Sequence, residues 1–344
     1  MRVYYSLLAV ILCAASVLVL ADEWSVPASW DVEQREVKFE NDGIEFVGTL
    51  HLPAGSESGP AVVVTHGSGL GNKDAALYQQ LAELLPVLGY AVLVYDRRGA
   101  GESGGELAGA SYRDLARDAV AAMDAISTDS AVDEERVGLW GLSQGGWIVM
   151  EAASMTEPAF VIAASTPLTT PARQMEILAY NETLRAGHDE QAARQALSAR
   201  RTVDGYFRGE VDLTEAREIL STAEQKPWYQ YTGLPPAEAL PENVEGSSWL
   251  LEMDYDPTEA LEALEVPLLF ILGGEDFVIP VAESLEILDN LPGAEERTVV
   301  VIPGADHVLR ISVEGETDAE LAPDSKTYFL LMGHWLGSLG LDQS

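Results

Sequence analysis

From Glu36 onward the apolar residues follow two rhythms that alternate along the chain. The stretches REVKFEND and IEFVGTLHLP have the character of two strands, and the Asn41-Asp42-Gly43 turn between them predicts a hairpin. Short continuous apolar runs then recur: AVVVTHG (61–67), YAVLVYD (90–96), RVGLWG (136–141), AFVIAAS (159–165), VPLLFILGGED (266–276) and ERTVVVIPG (296–304). Such runs predict strands buried on both faces. Between them lie segments with helical spacing: AALYQQLAELLPVLG (75–89), stopped by Gly89, then 112–126, GGWIVMEAAS (145–154), 280–291 and a closing SKTYFLLMGHWLGSL (325–339). Strands that alternate with helices predict the α/β class, a mostly parallel sheet with crossover helices.

The rhythm breaks once. Residues 166–264 carry no convincing strand, and much of the stretch has helical spacing, as in RQMEILAYNETLRAG and DEQAARQALSARRTVDGYF. A structureless loop of that length is foreign to a compact domain, so the expected organisation is a core begun by residues 22–165, a helical cap over 166–264, and a core completed by 265–344. The cap ends in a Pro-, Trp- and Tyr-rich stretch, where Trp228, Tyr229, Tyr231 and Trp249 either line an apolar pocket or pack the cap onto the sheet. No internal repeat or low-complexity tract interrupts this order.

The first residues, MRVYYSLLAVILCAASVLVLADEW, combine a basic start at Arg2 with an apolar run from Val3 to Leu20 and small or tolerated residues before Asp22. This predicts a secretory signal over residues 1–21, hence an exported, periplasmic or extracellular protein, with an uncleaved membrane anchor as the alternative. Cys13 is the sole cysteine, so the mature chain would hold no disulfide, no cysteine nucleophile and no thiolate metal site.

Charge narrows the partners. Lys and Arg number 20 against 56 Asp and Glu, a formal net charge of −36. Nucleic acid is excluded as a partner because its binding rests on basic contacts. The acids are spread along the chain rather than gathered in a tail; the composition resembles that of proteins from saline environments, the alternative being simply an acidic, soluble surface.

The segment Val137–Met150, VGLWGLSQGGWIVM, sets a serine among glycines where a strand gives way to a helix. Gly141-Leu142-Ser143-Gln144-Gly145 fits G-x-S-x-G, a sharp turn that exposes a serine hydroxyl above a sheet. A serine attacks only with a base beside it, and the base needs an orienting carboxylate. Of the five histidines, only His66 and His307 sit on loops at the C-terminal edge of the predicted strands, where open α/β sheets gather their sites. His307 is the candidate base. Asp276, after the strand at 266–273, is the candidate acid, with Glu275 its neighbouring rival. Oxyanion donors are expected from the Gln144 backbone N–H and from the HGSGLGNKD loop, first Ser68, then Gly67 or Gly69.

Together, HGSG (66–69), YDRRGAGESGG (95–105), GLSQGG (141–146), DPTEALEALEVPLLFILGGEDFVIP (256–280) and GADH (304–307) resemble the α/β-hydrolases, in particular their capped serine esterase and aminopeptidase-like branch. The resemblance implies hydrolysis of a small ester or acyl substrate without cofactor or metal, by Ser143, Asp276 and His307. It implies structural roles for Arg97, Arg98 and His66, with substrate binding the alternative for the two arginines. Aminopeptidase activity, or a catalytically silent envelope binding protein, are the competing expectations.

The charge gives a first test. Self-repulsion in a chain of net −36 is screened by salt, so the melting temperature should rise between about 0.01 M and 1 M salt. Calorimetry at graded salt checks this, and a flat or falling curve counts against it.

Overall fold

The computed structural model describes residues 32–55, 58–69, 71–293, 297–311 and 326–341. The N-terminal segment read as a signal or anchor, residues 1–21, lies outside the described residues. Among the described residues no helix is long and apolar enough to cross a membrane.

Eight strands form one sheet: β1 (Val32–Asn41), β2 (Ile44–Pro53), β3 (Gly59–Thr65), β4 (Ala91–Tyr95), β5 (Val132–Leu142), β6 (Val161–Ala164), β7 (Leu268–Gly273) and β8 (Arg297–Ile302). Their order across the sheet is β1-β2-β4-β3-β5-β6-β7-β8. The β1–β2 and β2–β4 pairs are antiparallel and the remainder parallel. The hairpin turns at Asp42 and Gly43, both at positive φ (49° and 76°), the two-residue turn whose twist matches its strands.

Strands β3, β4, β6 and β7 are buried throughout because helices cover both faces, whereas β8, predicted to be buried on both faces, lies at the sheet edge and is only half-buried. In β3, Ala61 and Val63 point into one layer and Val62 and Val64 into the other. The first layer holds α2 (Tyr112–Ser127) and α3 (Gln144–Ala153), through residues such as Leu115, Ala119, Ile148 and Val149. The second holds α1 (Ala76–Leu84) and the closing helix at Lys326–Ser338, through Tyr78, Leu81, Phe329 and Met332.

β5 starts earlier than its apolar run, at Val132, which pairs with Gly59 across an irregularity in the register. Its opening Asp133, Glu134 and Glu135 are not buried. They leave no apolar signature, so the sequence marks the strand only from Arg136.

Between β6 and β7 the chain is helical: α4 (Pro171–Arg185), α5 (Glu190–Phe207), α6 (Leu213–Ala223), α7 (Ser248–Glu252) and α8 (Pro257–Glu262). Helices α5 and α6 and the segment after them share a separate apolar cluster that includes Val203, Leu220, Trp228 and Leu240. Helix α8 does not join it. Ala260 and Leu261 lie in the sheet's first layer, so the last turns of the 166–264 stretch belong to the core.

One buried ion pair ties the hairpin to the sheet layer. Arg98, just after β4, donates two hydrogen bonds of 2.7 Å to Asp118 on α2, and Asn41 donates a third at 2.7 Å. Asp118 is 1% exposed. Removing one partner of such a pair strands a buried charge, so Asp118→Ala should cost about 3–5 kcal/mol of stability in urea denaturation; a cost below about 1 kcal/mol would mean that Arg98 finds other partners.

Candidate active site

Ser143 stands alone between β5 and α3, with φ 55° and ψ −118°. Few side chains tolerate this region, and the turn around it explains how one is held there. A methyl group on Gly141 would meet the Gly145 carbonyl oxygen at 2.1 Å, and one on Gly146 would meet Thr166 Oγ1 at 1.8 Å. The glycines let strand and helix close to a corner that no larger residue permits. Two backbone bonds lock it: Ser143 N–H donates to Ala164 O at 2.8 Å, and Gly146 N–H donates to Ser143 O at 2.9 Å. The serine is 6% exposed, and its Oγ makes no hydrogen bond among the described residues. The N-terminus of α3, with its partial positive charge, opens at the same corner.

The HGSG loop leaves β3 beside it. A methyl group on Gly67 would lie 3.4 Å from Leu142 O and 3.9 Å from Ser143 Cβ. Gly67 N–H is already committed, donating to the Tyr78 hydroxyl at 2.9 Å. Of the loop amides named from the sequence, Gly67 is therefore occupied, whereas the Ser68 and Gln144 N–H groups have no acceptor among the described residues. Arg97, which follows β4, lies behind both. Its Nη1 donates to Gly67 O at 3.2 Å and to Gln144 Oε1 at 3.0 Å, and its Nη2 donates to Ser68 O at 3.3 Å. His66 is buried, edge-on to the Tyr78 and Tyr95 rings at 4.8 and 5.4 Å. Burial, with the Arg97 charge adding to it, pushes its pKa down to about 3 and keeps it neutral.

Two strands away, the loops after β7 and β8 bring a carboxylate to an imidazole. His307 Nδ1 lies 2.8 Å from Asp276 Oδ2. The other carboxylate oxygen, Oδ1, accepts from the Val278 and Ile279 N–H groups at 2.9 and 3.3 Å. The Asp276 carboxylate is wholly buried and the His307 ring is 19% exposed. Glu275 is exposed and has no hydrogen bond or ion pair with His307 among the described residues. The loops are laced through their backbones: Gly274 N–H donates to Ile302 O and Glu275 N–H to Ala305 O, at 2.8 and 2.9 Å. Asp306 shapes the histidine loop from within, accepting from Val308 and Arg310 N–H. Neither the Tyr78 contact nor the bonds made by Asp306 and Arg97 could be read from residue types, since each depends on loop geometry. No hydrogen bond joins Ser143 to His307 among the described residues, and catalytic hydrogen bonds commonly tighten only with substrate bound. The other histidines stand elsewhere: His51 is buried on β2, His188 packs against Tyr231, and His334 lies on the closing helix.

The helical segment grips the loops that carry these residues. Asn181 on α4 donates to Phe277 O at 2.8 Å, and the Arg185 guanidinium lies 3.7 Å from the Phe277 ring centre. Arg173 forms an ion pair with Glu283 at 2.6 Å. On the other side Gly109 N–H donates to Ser248 Oγ, and Tyr112 donates to Glu252 at 3.3 Å. Tyr255 packs onto the core, its ring 4.9 Å from Tyr112 and 6.1 Å from Trp147, whereas the four aromatic residues singled out in the sequence serve packing within the segment. Trp228 is 5% exposed in the segment's own cluster, and the Tyr229 hydroxyl donates to Pro235 O. Tyr231 meets His188, and Trp249 donates to Asp204 beneath the Arg200 guanidinium.

Comparison with known proteins agrees with this architecture. The sequence profile described as serine aminopeptidase, S33, matches residues 56–312. The thiohydrolase aneE of Aspergillus aculeatus is 24% identical over 264 residues, which cover 73% of this chain and 80% of that protein. Esterase EstD of Thermotoga maritima is 25% identical over 275 residues, 78% of this chain and 59% of that one. Among solved structures, the α/β-hydrolase GrgF of Penicillium has a TM-score of 0.57 at 19% identity, over 89% of this chain and 98% of that one. The eight-stranded, mostly parallel sheet and the matched residues make the chain an α/β-hydrolase, a hydrolytic enzyme of the esterase-like kind that belongs to the family described as serine aminopeptidase, S33.

Proposed function

We propose that the enzyme cleaves carboxylic esters through an acyl-enzyme on Ser143. One observation carries the reading: a serine held in a rare backbone conformation opens on the same sheet edge as a buried Asp276–His307 pair. His307 Nε2 takes the hydroxyl proton as Ser143 Oγ attacks the ester carbonyl, and gives it to the departing alcohol oxygen as the acyl–oxygen bond breaks. Water, deprotonated in the same way, then attacks the acyl-enzyme and releases the acid. Asp276 holds the Nδ1–H tautomer and stabilises the imidazolium. The Ser68 and Gln144 N–H groups receive the oxyanion, a contribution of about 10²–10³ in rate for each such donor. A fixed positive end of α3 at the same place works in the same direction.

Ser143→Ala should leave the melting temperature near that of the wild type and lower kcat on a nitrophenyl ester by roughly 10⁵–10⁶. Asp276→Asn holds the wrong tautomer and should lower kcat by about 10⁴. Full activity in the first variant would remove Ser143 from the mechanism, and full activity in the second would turn attention to Glu275.

The family's description keeps amide hydrolysis as the second reading. The half-buried Glu252 gives it a physical footing: Tyr112, which donates to this carboxyl and also interacts with the Gln144 side chain, sets an acceptor for a substrate's amino group on the Gln144 side of the site. Turnover of nitrophenyl esters and aminoacyl arylamides by one preparation separates the two. We expect esters to be the faster substrates, and preferential arylamide cleavage would reverse the assignment.

A further inference from the structure

The two arginines after β4 differ in a way their sequence conceals. Arg98 is neutralised by Asp118. Arg97, 5% exposed, has no carboxylate within 4.0 Å among the described residues. A cation buried without an ionic partner is costly to a fold, and all three of its acceptors are the carbonyl-type oxygens of just three residues: Gly67, Ser68 and Gln144. Two of these three, Ser68 and Gln144, bear the amides assigned to the oxyanion.

We propose that Arg97 is a positioning residue of the oxyanion site, orienting both donor-bearing residues with one guanidinium and setting a fixed positive charge behind them. The inference rests on the acyl-enzyme reading above. The Gly67 carbonyl and the Ser68 N–H belong to one planar peptide and point opposite ways in its trans form. Nη1 pulls on the carbonyl side, which turns the N–H toward the opposite side and polarises it. The same Nη1 holds the Gln144 side chain, anchoring the first residue of α3 and with it the second N–H. The Tyr78 hydroxyl secures the preceding amide, Gly67 N–H, so the loop is held on both of its peptide faces. Glu252, bound by Tyr112, is the carboxylate whose field reaches Arg97 from the helical segment, and it does so without an ion-pair contact. When substrate is absent the guanidinium has no contacting counter-charge. The oxyanion formed by attack of Ser143 supplies negative charge on the side its carbonyl contacts face away from, so the attraction grows as the transition state is reached.

The test uses the full chain and a nitrophenyl ester, with Arg97→Met, Arg97→Lys and Ser143→Ala compared for melting temperature, kcat, KM and inhibition by an aryl trifluoromethyl ketone. That inhibitor adds to the serine as a tetrahedral adduct bearing an oxyanion. Arg97→Met should lower kcat on the order of 10²-fold, change KM by less than about threefold, and weaken the ketone by a factor close to the kcat loss. Arg97→Lys keeps the charge but loses the fork that reaches three acceptors, and should recover about tenfold of that loss. A purely structural role would move the melting temperature without linking kcat to ketone affinity. Kinetics and ketone affinity within threefold of wild type in a folded Arg97→Met would overturn the proposal. Should Arg97→Met fail to fold, wild-type kinetics and ketone affinity in Arg97→Lys would overturn it equally. Wild-type turnover in Ser143→Ala would overturn the acyl-enzyme reading and this proposal together; loss there with no change at Arg97 would overturn this proposal alone.

Discussion

A serine backbone at φ 55° is the constraint on which the rest of the site depends. A residue in so sparse a region costs on the order of 1–3 kcal/mol and persists only where its surroundings over-determine it. Here they do. The Ser143 amide is pinned to Ala164 on the neighbouring strand. The space that would relieve the turn is filled by the Gly145 carbonyl on one side and by Thr166 on the other. Strand β5 and helix α3 are anchored in turn by Trp140 and Trp147, both 2% exposed. The strain is thus carried by the whole sheet, and its result is a hydroxyl standing clear of both elements that flank it.

The Asp276–His307 pair is placed by a different device. The carboxylate and the imidazole lie on loops, and loops are mobile unless something laces them. Backbone bonds from Gly274 and Glu275 to the β8 loop do so, Asp306 stiffens the histidine loop from inside, and α4 holds Phe277 from above. The helical segment between β6 and β7 therefore contributes to the site through the loops it grips. Of its aromatic residues, Trp228, Tyr229, Tyr231 and Trp249 are spent on internal packing, while Tyr255 packs onto the core.

What could be read from residues alone follows this division. The buried parallel strands were legible because burial on both faces forces contiguous apolar runs, and the serine corner because its sterics demand glycines. The acidic start of β5 was not, since exposed strand residues carry no apolar period. The choice between Glu275 and Asp276 was not settled by residue type, as both follow β7 by a few residues. It is the backbone path through Gly273 and Gly274 that sends one carboxylate to His307 and the other to solvent. Arg97 and Arg98 are alike in sequence and separate only when their acceptors are seen: two peptide carbonyls and the Gln144 side-chain oxygen for Arg97, Asp118 for Arg98. Tyr78, which occupies the Gly67 amide, reads in the sequence as an ordinary apolar-face residue of α1.

The claim beneath all of this is covalent: an acyl group passes through Ser143 Oγ. Peptide mass spectrometry of the wild-type protein, acid-quenched during turnover of a slowly deacylating ester, addresses it most directly. The account predicts one added acyl mass, on the peptide that contains Ser143, which disappears as the substrate is exhausted. An acyl mass on any other residue, or turnover with no adduct at Ser143 under conditions where deacylation limits the rate, would contradict it.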